Sequence, residues 1–227
     1  QHAHDRGVIH RDLTPSNVLV AVQDGQPVPK IIDFGLARAT NQSSVAATVF
    51  TERGQVIGTP EYMSPEQASS HELGIDTRTD VYTLGVLLYE LLVGMRPIER
   101  SALQQAGWME IQRVIREDEP PKPSTKLTAA GEATTGVAQS RRTDPRTLTR
   151  RLRGDLDWIV MKALERDRTR RYASAGDFAR DVNHHMTDLP VEAGPPRLGY
   201  RIRKFVHRHR SRVAALSSAV LAVVLAV

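Results

Sequence analysis

Large apolar side chains are spread unevenly along the 227 residues, and their spacing changes several times. Two short apolar runs come first, at 17–20 and 30–32. Gly25, Pro27 and Pro29 lie between them, so the pair reads as two short strands joined by a turn. A longer pattern follows. Asp76-Thr77-Arg78-Thr79-Asp80 opens a helix that runs to about Val93 and stops at Gly94. Val81, Leu84, Val86, Leu87, Leu88, Leu91, Leu92 and Val93 cover nearly every side of it, the mark of a buried helix. A further helix is predicted over 100–119, from Trp108, Ile111, Val114 and Ile115, with Pro120, Pro121 and Pro123 ending it. Residues 124–150 are rich in Thr, Ala and Arg and poor in large apolar residues. They predict a mobile insertion, bounded at 122–152, that buries too little to offset its ordering entropy. Leu156, Ile159, Val160, Ala163 and Leu164 then recur at helical spacing. Ser174-x-x-Asp177 predicts the start of a last helix burying Phe178, Ala179, Val182 and Met186. The fold class is mainly α with a small β-hairpin.

Beyond Met186 the composition shifts. Pro190, Gly194, Pro195 and Pro196 predict a stiff linker. A basic segment runs from Arg197 to Arg212, and 213–227 is apolar apart from Ser217 and Ser218. A membrane-spanning helix needs about 20 apolar residues. The run is read as the truncated start of one, preceded by a linker and basic juxtamembrane segment over 189–212. The basic flank places the preceding residues on the cytoplasmic side of a plasma membrane, as a single-pass protein, and makes anionic lipid a partner of 197–212.

Charge supports this division. The formal net charge of +5 includes seven cations and no acid within 197–227, which leaves −2 for residues 1–196. A nucleic-acid-binding domain would carry its basic face on the folded part, so no nucleic-acid partner is expected. The absence of cysteine excludes disulfides, thiolate nucleophiles and Cys-based metal sites.

The chemistry concentrates near the start. His10-Arg11-Asp12-Leu13-Thr14-Pro15-Ser16-Asn17 reads H-R-D-x-x-x-x-N, Asp33-Phe34-Gly35 follows, and Gly58-Thr59-Pro60-Glu61-Tyr62-Met63-Ser64-Pro65-Glu66 comes third. Phosphoryl transfer needs a carboxylate to orient a hydroxyl and take its proton, and oxygen ligands to hold Mg²⁺ on nucleotide phosphates. With these three motifs in order, residues 1–186 resemble the C-terminal lobe of a bacterial serine/threonine protein kinase of the eukaryotic-like, membrane-anchored type. A kinase lobe over 1–188 is expected.

The resemblance implies that Asp12 is the catalytic base and that Asn17 and Asp33 are Mg²⁺ ligands, with ATP as phosphate donor and proteins as substrates. It implies supporting roles for His10, Arg11 and Asp80, an ion pair between Glu66 and Arg171, and a substrate pocket shaped by Gly58, Thr59 and Pro60. The polar stretch 36–57 corresponds to an activation loop. Ser43, Ser44, Thr48 and Thr51 are candidate phosphosites, with Thr48 and Thr51 preferred and Arg11 as a phosphate partner. Dimerisation is a further expectation. One position departs from the family: Thr14 stands where a lysine usually touches the transferred phosphate. No G-x-G-x-x-G and no lysine in a V-A-I-K-like strand occurs in the sequence, and it opens at Gln1 within the approach to H-R-D. It therefore reads as a fragment without the ATP-clamping lobe, inactive alone. Two functions remain open: an active membrane-linked kinase, or a tethered pseudokinase that serves as a docking scaffold.

Overall fold

The computed structural model describes residues 1–34, 59–69, 75–99, 101, 103 and 107–209. Gly35, the loop residues Ser43, Ser44, Thr48 and Thr51, Gly58 and the apolar run 213–227 lie outside these.

The molecule is assembled around helix α1, Arg78–Val93, which buries Val81, Tyr82, Val86, Tyr89 and Val93. Gly94, at φ 74°, ends it with an N–H bond to the Glu90 carbonyl, a left-handed cap that glycine adopts without steric cost. Only Leu91, 71% exposed, breaks the all-round burial. Helix α6, Asp155–Ala163, crosses α1 at Gly85. A Cβ built there would lie 2.7 Å from the Ala163 Cβ, so any side chain would force the helices apart. Helix α7, Ala175–Met186, packs beside them. Its N-cap Ser174 accepts from the Asp177 N–H and donates to the Asp177 carboxylate. Its buried face is Phe178, Asp181 and half-buried Val182. Ala179 and Met186 face solvent, contrary to the apolar face expected from sequence.

Preceding α1, strand β1 (Val18–Gln23) pairs antiparallel with β2 (Gln26–Ile31) in register Val18↔Ile31 to Gln23↔Gln26. Asp24 and Gly25, both at positive φ, make the two-residue turn. The strands are thus longer than expected, and Pro27 and Pro29 lie within β2 rather than in the turn. After α1 comes α2, Trp108–Glu117. It buries Ile111 and Ile115 with Ala68 and Leu103, and begins after an extended Gly107, later than the 100–119 expectation.

The expected mobile insertion over 122–152 is corrected by three helices: α3 (Pro123–Ala129), α4 (Ala133–Ser140) and α5 (Pro145–Leu152). Leu127, Ala138, Leu148 and Leu152 join Tyr89, Val93, Leu156 and Val160 in one core. Buried polar groups here are satisfied. Ser124 donates its N–H and hydroxyl to the Asp157 carboxylate at 2.9 and 2.6 Å, and the Thr134 hydroxyl donates to the Leu127 carbonyl.

The expected linker is corrected too. Residues 189–197 lie on the lobe, and helix α8, Leu198–Arg208, follows. Val191 and Tyr200 are buried with Ile159, Tyr172 and Phe178. The Asp181 carboxylate accepts the Glu192 and Ala193 N–H groups at 2.6 and 2.8 Å. Among the described residues no helix is long and apolar enough to cross a membrane.

Candidate active site

Asp80 lies in the first turn of α1 and is 1% exposed. Its carboxylate accepts the His10 and Arg11 backbone N–H groups, each at 2.8 Å, and the His4 Nε2–H, also at 2.8 Å. On the far side of Arg11, the Gln67 amide donates to the Arg11 carbonyl at 2.6 Å. Arg11 sits at φ 68°, a left-handed conformation costly for a residue with a Cβ. Both peptide groups flanking it are therefore clamped, and the conformation is held from outside. The chain then turns Asp12 outward, where it is exposed.

The second acid is held in the same way. Asp33 has φ 57° and is exposed. Just before it, the Ile32 N–H donates to the Asn17 carbonyl at 3.0 Å, and the Ile32 carbonyl accepts from His10 Nε2 at 2.9 Å. Just after it, the Phe34 ring lies against the His10 ring with centroids 4.9 Å apart. His10, 2% exposed, is thus the hub that ties the Asp33 segment to the Asp12 loop. Backbone strain of this kind persists only where surrounding bonds over-determine it, and it concentrates at functional sites.

Asn17 ends the short 3-10 turn Pro15–Asn17. Its Nδ2 donates to the Asp12 carbonyl at 2.8 Å. That bond fixes the amide orientation and leaves Oδ1 as an outward acceptor. An amide oxygen, a carboxylate and the oxygens of a phosphate ligand form the hard-donor set that Mg²⁺ takes, so Asn17 and Asp33 fit that ion. Thr14 is 3% exposed, and its hydroxyl is engaged with the Ser16 hydroxyl at 2.7 Å. It supplies no cation to the site.

The floor under the loop is a buried ion pair. Arg171 binds Glu66 through two parallel bonds of 2.7 and 2.8 Å, and its side chain is wholly inaccessible to solvent. The remaining guanidinium hydrogens reach the Glu165, Arg78 and Arg166 carbonyls, and the Tyr82 ring lies 4.9 Å beneath. Burial pushes the Glu66 carboxyl up, but the Arg171 guanidinium and the Thr79 hydroxyl outweigh it and hold it below the usual range. Pro60, Glu61 and Tyr62 form a buried turn against α1, where Arg96 pairs with Glu61 at 2.7 Å and stacks over the Tyr62 ring. Thr59, just before this turn, is exposed.

Comparison with known families decides what this arrangement belongs to: the protein kinase domain matches residues 1–185. The chain belongs to the protein kinase family. Serine/threonine-protein kinase pkn3 of Myxococcus xanthus is 34% identical over 181 residues, 79% of this chain and 28% of that protein. Serine/threonine-protein kinase PknB of Mycobacterium tuberculosis is 32% identical over 191 residues, 84% of this chain and 25% of that protein. The crystal structure of the M. tuberculosis PknI kinase domain aligns over 81% of this chain and 49% of that one, with 25% identity and a TM-score of 0.45. The chain spans about a quarter of the length of the curated relatives it matches.

Within this protein kinase domain the structure brings His10, Arg11, Asp12, Asn17, Asp33 and Asp80 into one bonded assembly, and pairs Glu66 with Arg171. Sequence reasoning missed His4, Gln67 and Arg96. His4 and Gln67 act through single bonds to residues 76 and 56 positions away, and nothing local marks them.

Proposed function

We propose that the parent protein transfers the γ-phosphate of Mg-ATP to serine or threonine hydroxyls of proteins, with this chain supplying the base and the metal ligands. The observation that carries the reading is the pair of clamped left-handed residues, Arg11 and Asp33. They fix two exposed carboxylates on a buried, hydrogen-bonded base. Asp12 accepts the proton of the attacking hydroxyl as its oxygen bonds to the γ-phosphorus and the bond to the departing ADP oxygen breaks. Asn17 Oδ1 and the Asp33 carboxylate would hold Mg²⁺, which neutralises phosphate charge when bound. In the full-length protein, Asp12→Asn should abolish phosphoryl transfer and leave the unfolding temperature unchanged, since the Asp12 side chain is exposed. Retained transfer would show that another group is the base.

Residues 1–227 contain no Gly-rich phosphate loop, so turnover is assigned to the longer protein and none is expected from this chain by itself. A second reading, a docking scaffold without turnover, is favoured by Thr14 alone. Its buried, hydroxyl-bonded side chain supplies no cation of its own to the transferred phosphate. Loss of one such preorganised group costs on the order of 10²–10³ in rate. Thr14→Lys in the full-length protein should therefore raise kcat if the site is active, and produce no transfer if it is a scaffold.

The same reading places the lobe at a membrane. The apolar run 213–227 begins a span, and the cations of 197–212 keep the lobe on the cytoplasmic side, where ATP is available. Protease added to intact cells should spare the lobe and cut it only after lysis.

A further inference from the structure

The basic segment is a docked helix with two chemically different sides. At 3.6 residues per turn, Tyr200, Lys204 and His207 share one side of α8, and Leu198, Ile202, Phe205 and Val206 share the opposite one. The first side is fastened to the lobe. The Tyr200 hydroxyl accepts the Val191 N–H and donates to the Asp155 carboxylate, both at 3.0 Å. Lys204 Nζ sits 2.5 Å from the other Asp155 oxygen, which His185 Nδ1 also reaches at 3.2 Å. His207 Nδ1 donates to Asp188 at 3.0 Å. The Tyr200 ring packs edge-on to Trp158, with centroids 5.5 Å apart.

Among the described residues the second side is largely open, its one ring contact being Phe205 against His209 with centroids 4.7 Å apart. Leu198 is 77% exposed, and Ile202 and Phe205 are about as open, at 60% and 59%. Arg201 and Arg208 flank this stripe on one edge and Arg203 on the other, and all three are exposed. Residues 197–212 hold no acid, and the apolar run begins directly after them. Ile202 and Phe205 also line an open groove with Leu189 and Pro190, and Arg201 and Arg208 stand at its rim. An apolar stripe edged by arginines suits a helix lying in the headgroup plane of a bilayer.

We propose that α8 is an interfacial helix that lays Leu198, Ile202 and Phe205 into an anionic phospholipid surface, with Arg201, Arg203 and Arg208 on the lipid phosphates. Because its other side is locked to α6 and α7, it fixes the lobe's orientation on the membrane. The lobe is then held against the bilayer instead of swinging on a tether. A second copy of the chain would satisfy the apolar stripe but would bring the same arginines together without countercharge. The inference rests on the membrane reading above, and the test separates the two.

The chain has no cysteine, so a single introduced one labels cleanly. Phe205→Cys, carrying an environment-sensitive fluorophore, is made in the full 227-residue chain, with Met109→Cys, on an exposed site of α2, as control. Each is reconstituted into phosphatidylcholine vesicles with and without phosphatidylglycerol. On anionic vesicles the label at 205 should shift to the blue and lose several-fold of its quenching by aqueous iodide, with the label at 109 unchanged. Adding Arg201→Gln and Arg208→Gln should return it to water, since each cation near the surface contributes about a fivefold preference for the bound state. A chain that sediments with vesicles while the label at 205 stays in water overturns the interfacial helix and leaves the anchor standing. A chain that remains off the vesicles overturns both. Protection at 205 without lipid identifies a second copy as the occupant, and equal protection on neutral vesicles removes the anionic class; either overturns the proposal.

Discussion

The hairpin β1–β2 and the helices of 123–152 differ in a way that composition inverts. The hairpin holds Leu19, Val20, Val22 and Ile31, yet Val20 and Val22 are 65% and 75% exposed in this chain. The α3–α5 segment is Thr-, Ala- and Arg-rich, yet Leu127 and Ala138 are wholly buried and Leu152 nearly so. The difference lies in the number of partners. Among the described residues the hairpin is a lone two-stranded sheet whose main partner is itself. Each of α3–α5 touches a neighbour in the set and α1 or α6, so a few well-placed leucines suffice. Burial follows from what surrounds a segment, and the apolar fraction of the segment is a weak guide to it.

Charge sharpens the contrast most. Arg171 belongs to the packed side of the molecule, with a side chain of zero accessibility and five polar bonds. Arg171→Ala strands Glu66 in a largely buried position, and losing one partner of such a pair costs roughly 3–5 kcal/mol. Chemical denaturation should show a midpoint shift of that size. A loss below about 1 kcal/mol, the size of a surface pair, would mean that water reaches Glu66.

The direct test of the inversion is Leu127→Ala. The side chain is fully buried among Tyr89, Leu148 and Leu152, and its loss should cost about 2–5 kcal/mol. A mobile insertion would give almost no change. The same variant should lower amide protection through 123–152, read by hydrogen exchange.

These outcomes bear on how much was legible in the sequence. Ser174 capping α7 was legible, because the bond to Asp177 is made within one turn. The all-round apolar pattern of α1 was legible for the same reason: periodicity is local. The packing of 123–152 was not. It depends on Asp157 reaching back to Ser124 and on Tyr89 donating to the Pro121 carbonyl, 33 and 32 residues apart. At the site, H-R-D-x-x-x-x-N and D-F-G name Asp12, Asn17 and Asp33 through spacing. The left-handed backbone at Arg11 leaves no trace in residue type, since arginine has no preference for that region, and at Asp33 the aspartate is only a weak sign of it. The docking of α8 was hidden by a Pro- and Arg-rich composition that ordinarily marks a linker, and it turns on three spaced residues, Tyr200, Lys204 and His207.

A smaller effect separates docked from free segments by pH. Burial pushes the Asp155 carboxyl up, but hydrogen bonds from His185, Lys204 and Tyr200 outweigh it and hold the value at about 2, below the ordinary 3.8. A carboxylate depressed by folding contributes stability that is present above its unfolded value and is lost as pH falls through the folded one. The window is therefore pH 4 down to 2, and the contribution is about 2 kcal/mol. Stability measured across that window should fall less in Asp155→Asn than in the unaltered chain. Parallel curves would mean that Asp155 does not hold α8.

The smallest effect is expected at the hairpin, and its smallness is informative. Val22 lies in β1 opposite Pro27 and is three-quarters exposed. Val22→Thr keeps the β-branched shape that strands favour and removes only a methyl already in water. Exposed substitutions of this kind fall within about 0.5 kcal/mol, so the 227-residue chain should unfold at nearly the same denaturant concentration. The converse measurement uses the longer protein. If another element covers the hairpin there, the same substitution buries an unmatched hydroxyl and should cost about 1–3 kcal/mol. The difference between the two values would measure how far coverage of β1–β2 comes from outside this chain. A cost above 1 kcal/mol in the 227-residue chain itself would show that the hairpin is already packed, and that the contrast with α3–α5 does not hold.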